Sequence, residues 1–164
     1  MRRPVLSAAA TMVALFLISG VALAAELIGT PGDDRLAGTD KRDVISARGG
    51  DDTVIGRRGD DELYGMPGGD SISGSEGADD VYGGSGNDGL RGGDGQDDVY
   101  GGDGADNLVG GSSVDELSGG NNSDTINAVG GGRDLINCGL GTDDRVIADT
   151  NDGVNGDCER VTRR

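Results

Sequence analysis

Aspartate recurs every nine residues along most of this chain. Eleven nonapeptides run without a gap over residues 29–127, and a twelfth, 129–137, follows Ala128 as a one-residue insertion. The sixth position is Asp in all twelve copies: Asp34, Asp43, Asp52, Asp61, Asp70, Asp79, Asp88, Asp97, Asp106, Asp115, Asp124 and Asp134. Asp is short, ionised and oxygen-bearing, the ligand type a hard cation prefers. Calcium takes roughly six to eight oxygens at flexible angles, a set that carboxylates and loop carbonyls supply together. Zinc or copper would call for His or Cys. The chain has no His, and its two Cys lie outside the twelve loops. The twelve Asp are therefore candidate ligands for multiple calcium ions.

The elements that must position them follow from the rest of each copy. The eighth position is always aliphatic, from Leu36 and Ile45 through to Ile126 and Ile136. A short strand centred there points that side chain inward and turns the seventh and ninth positions to solvent. The fourth position is Gly in nine copies, with Lys41, Ser113 and Asn122 as departures. Glycine permits the positive φ of a tight reversal and lets carbonyls approach a cation.

These twelve in-phase copies resemble the RTX, or haemolysin-type, calcium-binding repeats, over nearly all of the chain after residue 28. The resemblance implies an all-β fold, a right-handed parallel β-roll (a β-solenoid) of about six turns with two nonapeptides per turn. It implies that six Gly-rich residues form each loop and the last three a strand, and that each ion takes Asp side chains and carbonyls from adjacent loops on one side. One ladder then holds Asp34, Asp52, Asp70, Asp88, Asp106 and Asp124, and the other Asp43, Asp61, Asp79, Asp97, Asp115 and Asp134. Rungs would lie roughly 4.8 Å apart, where unbridged carboxylates repel. With one aliphatic residue per repeat for a core, folding and metal binding are expected to be one event. The best sites are expected over residues 83–106, and weaker ones in the loops with Lys41, Ser113 or Asn122.

The ends depart from the rhythm. Arg2 and Arg3, the apolar run Val13-Ala14-Leu15-Phe16-Leu17-Ile18 and Ala22-Leu23-Ala24 make residues 1–24 a signal peptide by pattern. Secretion to an extracellular setting is the expectation, with residues 25–137 as the roll and 138–164 as a C-terminal cap. Leu27 falls in phase as an inward residue before the first loop. Cys138 and Cys158 form an even pair in an exported chain and are expected to be a disulfide. Val146, Val154 and Val161 are candidate buried residues of the cap, and Asp149, Asp152 and Asp157 an irregular further ion site.

Composition narrows the function. Without Arg2 and Arg3, 12 basic residues face 30 acidic ones, a net charge of about −18. Nucleic acid is not expected as a partner, nor is membrane insertion after signal cleavage, because phosphate needs Lys and Arg to neutralise it. Without His the common nucleophile–His arrangements are absent, and repeats and cap use the chain after the signal, so no enzyme is expected. Tyr64, Tyr82 and Tyr100 occupy ninth positions 18 residues apart beside Glu62, Asp80, Asp98 and Glu116. They read either as a stabilising stack or as a face for a cell-surface or glycan partner. The expected molecule is a monomeric calcium-binding protein, the alternative a calcium-dependent adhesin using the tyrosine face.

Overall fold

The computed structural model describes residues 24–164, in which all regular structure is β-strand. Residues 1–23, which hold all but the last residue of the expected signal peptide, lie outside the described residues. In chain order the strands begin with β1 (Glu26–Ile28), β2 (Arg35–Ala37), β3 (Val44–Ser46) and β4 (Thr53–Arg58). Then come β5 (Glu62–Pro67), β6 (Ser71–Glu76), β7 (Asp80–Ser85) and β8 (Gly89–Asp94). β9 (Asp98–Asp103), β10 (Asn107–Ser112), β11 (Glu116–Asn121) and β12 (Thr125–Ala128) complete the regular region. β13 (Leu135–Leu140), β14 (Arg145–Ala148), β15 (Gly153–Val154) and β16 (Arg160–Arg163) follow.

Odd-numbered strands form one eight-stranded sheet and even-numbered strands another, each in chain order. All pairs are parallel, and the regular register advances by 18 residues, as Leu63 pairs with Val81 and Val81 with Val99. This is the two-repeat turn that the resemblance implies. The stack is longer than the six turns expected, at about eight. β1 adds a strand ahead of the first loop, and residues 138–164 continue both sheets through β16. The irregular C-terminal segment keeps the strand pairing because its loops, not its strands, absorb the changes in length.

Each repeat turns three residues inward. The eighth-position aliphatics form the core, joined by the sixth-position Asp and by a small residue at the first position. That first residue is Gly in most repeats and Ala47, Ala128, Cys138 or Ala148 elsewhere. The reason for its size is steric: a Cβ added to Gly56 would collide with the Asp61 carboxylate, and at 2.7 Å with the Gly74 carbonyl oxygen. The seventh and ninth positions face outward, as the alternation of a strand requires. Most strands run six residues rather than three, because pairing resumes beyond the first position into the next loop, as Gly111 pairs with Gly93. Ala128 takes the inward first position and pairs with Ala148, so the extra residue of this repeat lies in the loop that follows.

Candidate metal centre

The twelve repeated Asp are buried to at least 94 %, a costly position for a carboxylate unless it is partnered. Half of the partnership is internal. The backbone N–H of each Asp donates to Oδ1 of the Asp one turn later, at 2.7 to 3.1 Å. These bonds build the two ladders expected from the 18-residue spacing. They also fix each carboxylate in one orientation, with its second oxygen turned away from the ladder bond.

That second oxygen defines the site. In Asp52, Asp61, Asp70, Asp79, Asp88, Asp97, Asp106, Asp115, Asp124, Asp134 and Asp144, Oδ2 is buried and has no hydrogen-bond partner among the described residues. Eleven orphaned oxygens in two files are an unusual number for one small domain, since native interiors pair nearly all of their polar groups. Burial pushes Asp61, Asp97 and Asp124 up to about 7. It pushes Asp52, Asp79, Asp88 and Asp134 up to about 6. The N–H on Oδ1 opposes the rise, and neighbouring carboxylates add to it. The files are thus suited to take up protons or cations. Their donors are all oxygens, in keeping with calcium, and the first-position carbonyls beside the carboxylates could serve as neutral donors of the same kind.

The ends of the files differ from their middles. Asp34 and Asp43 stand in line, but Thr30 and Thr39 each donate a backbone N–H and a hydroxyl to Oδ2 of the Asp in the same loop. Their carboxylates are satisfied within the protein. From the third loop onward the second residue takes positive φ, as in Arg48, Arg57, Met66 and Ser75, and that capping bond is lost. The three departures from Gly at the fourth position also separate. Ser113 and Asn122 adopt the positive φ of the glycines they replace, at 83° and 78°. Lys41 lies in the second, threonine-capped loop and does not.

Three ladder residues were not legible as such in the sequence. Asp144 accepts the N–H of Asp124 at 2.8 Å, Asp152 that of Asp134 at 3.1 Å, and Glu159 that of Asp144 at 3.0 Å. They continue the files at separations of 20, 18 and 15 residues. The signal that marks them is an acid two residues before an aliphatic: Asp144 before Val146, Asp152 before Val154, Glu159 before Val161. Of the irregular acids singled out above, Asp152 joins a ladder. Its Oδ2 accepts the N–H of Asp149 at 2.6 Å, while Asp157 is exposed beside the disulfide. Val146 is buried and Val154 packs against the core, but Val161 is 39 % exposed, because no further strand covers β16.

Cys138 and Cys158 are bonded, with Cα atoms 5.2 Å apart. Leu27 packs against the core as its phase requires. The tyrosines stack on the outer face of the odd sheet, Tyr64 on Tyr82 at 4.9 Å between centroids and Tyr82 on Tyr100 at 5.1 Å, with planes 5° and 8° apart. Both faces of Tyr82 are therefore covered by its neighbours. Glu62, Asp80, Asp98 and Glu116 run beside them in register. Glu62 is paired with Arg42, while burial and then Asp98 and Glu62 hold Asp80 above the usual carboxylate range.

Comparison with known proteins places this arrangement. Residues 28–63, 55–90, 64–99, 91–126 and 100–136 match the family described as RTX calcium-binding nonapeptide repeat (4 copies). No curated protein matches the chain.

Proposed function

The chain belongs to the RTX calcium-binding nonapeptide-repeat family, and from that premise we propose that it is an exported calcium-binding protein that folds as its loops take up the ion. The observation that carries this reading is the pair of files of buried Oδ2 atoms that no N–H or O–H among the described residues reaches. Bound calcium supplies the positive charge and the demand for oxygen that such atoms lack. The protein's own groups do the rest. Each Oδ1 is held by the N–H one turn earlier, which leaves Oδ2 oriented toward the first-position residue of its own loop. The small first residue keeps side-chain bulk out of that space, and the positive φ at the second and fourth positions brings neighbouring loops within reach of one another. Asp52 through Asp134 are the proposed ligands among the repeats, whereas Asp34 and Asp43 hold the first turn together through Thr30 and Thr39.

Folding and binding are coupled because the core is one aliphatic residue wide per repeat and the carboxylate files oppose closure without a cation. Export rests on the pattern of residues 1–24 and on the disulfide, which an oxidising compartment permits. Circular dichroism and titration calorimetry test the reading. We expect a β spectrum in excess calcium, a disordered one in chelator, and several ions up to eleven per chain, with affinities of roughly 10⁻⁴ to 10⁻³ M. An identical folded spectrum in chelator would overturn it. For the tyrosine face, the stacking supports a ladder that stabilises neighbouring strands, since a sugar that packs on ring faces meets only the outer faces of Tyr64 and Tyr100.

A further inference from the structure

We infer that the C-terminal segment carries a calcium site of its own, built on Asp144 between loops 119–124 and 138–144 and clamped by the Cys138–Cys158 disulfide. This rests on the calcium reading above, but Gly141, Asp144 and Glu159 lie beyond the repeats that match the family, which end at residue 136. Asp144 is fully buried. Its Oδ1 is taken by the Asp124 N–H, and no donor among the described residues reaches its Oδ2.

The backbone around it keeps part of the regular loop despite the lost rhythm. Gly139 takes the positive φ of a second-position residue, at 92°, whereas the other positive φ moves to Asp143, at 76°, directly before Asp144. A Cβ on Gly141 would collide with the Asn122 carbonyl and would lie 2.8 and 2.9 Å from the two Asp144 oxygens. A carbonyl of one loop and the carboxylate of the next therefore converge at Gly141, in space that only glycine leaves open. Glu159 stands where the next ladder Asp would be and accepts the Asp144 N–H at 3.0 Å. The other file does not extend in this way, because the Asp149 N–H occupies Oδ2 of Asp152.

The disulfide joins the two walls of this site. Cys138 is the inward first residue of the Asp144 loop, and Cys158 is the residue next to Glu159. Among the described residues no strand pairs with the outer edge of β16 and Glu159 is exposed, so the covalent link holds Glu159 against Asp144.

Calcium titration calorimetry on the full chain tests both parts, with circular dichroism in excess calcium reporting the fold. Asp144→Asn keeps an Oδ1 acceptor for Asp124 and removes the charge, and we expect it to bind one ion fewer than the wild type. An unchanged ion count in a folded D144N overturns the site. Cys138→Ala/Cys158→Ala places at the first position the residue already found there in Ala47 and Ala128. We expect this double variant to keep the wild-type count with its weakest ion bound about tenfold less tightly; unchanged affinities overturn the clamp. Should D144N fail to fold, Glu159→Gln at the exposed wall is expected to weaken the same ion severalfold, and wild-type affinity there overturns the site. If the wild type itself takes up no calcium, the general reading has failed; if it does and D144N equals it, only this inference has.

Discussion

At the residue scale, the fourth loop position shows how tightly neighbouring turns approach. Gly86 has φ 133°, and a Cβ there would collide with the carbonyl oxygen of Gly68 one turn earlier. Both terms oppose any side chain, so Gly86→Ala is expected to lower the melting temperature of the calcium-loaded protein, with a loss above about 1 kcal/mol. Ser113 and Asn122 make the opposite case. They already hold positive φ without being glycine, so Ser113→Gly or Asn122→Gly is expected to stabilise by about 1 kcal/mol, read as a higher midpoint in denaturant. The sequence alone singles out these two together with Lys41 as departures of one kind. The structure divides them, because Lys41 belongs to a loop whose Thr39 caps its own Asp. Capping depends on the φ of the second residue, which composition does not reveal.

At the element scale, the strands are where sequence and structure agree most fully. An aliphatic residue two positions after an acid marks every long strand, and the 18-residue register is the one that the resemblance implied. The length of the strands was less legible, since pairing continues through glycines that carry no strand pattern. The tyrosine stack belongs to this scale. Tyr64, Tyr82 and Tyr100 are directly paired across β5, β7 and β9, so each ring buries its face against the next strand's ring. Tyr82→Ser removes both stacking contacts at once. It is expected to cost about 1 to 2 kcal/mol, lowering the melting temperature in calcium while leaving the ion count unchanged. Unchanged melting accompanied by lost glycan binding would instead favour the face as a docking surface.

At the scale of the whole molecule, the files of raised carboxylates set a pH dependence. An Asp held at about 6 or 7 in the metal-free fold, against 3.8 for the group in a freely solvated chain, binds its proton more tightly folded than unfolded. Its contribution to stability is complete below about 4 and is lost as pH rises through 6 to 7. In chelator, the protein is therefore expected to be more structured at pH 4 to 5 than at pH 8, followed by far-ultraviolet circular dichroism across that range. Calcium at neutral pH takes the place of those protons, so its binding should release protons in a weakly buffered titration.

Period and residue type marked in advance an inward aliphatic position and a recurring Asp that suits a hard cation, and the resemblance to the RTX repeats implied the two-sheet parallel roll and its two ladders. Those features repeat locally, and twelve copies in phase overdetermine them. Which carboxylates have an oxygen to offer was decided only in three dimensions. Asp34 stands in the ladder of Asp88 and Asp43 and Asp152 in the ladder of Asp97, yet their second oxygens are taken by Thr30, Thr39 and Asp149. Asp144 and Glu159 enter the file from a segment whose spacing had been lost. Sequence spacing measures distance along the chain, whereas the ladder is set by hydrogen bonds between turns, and loops that lengthen or shorten leave those bonds in place.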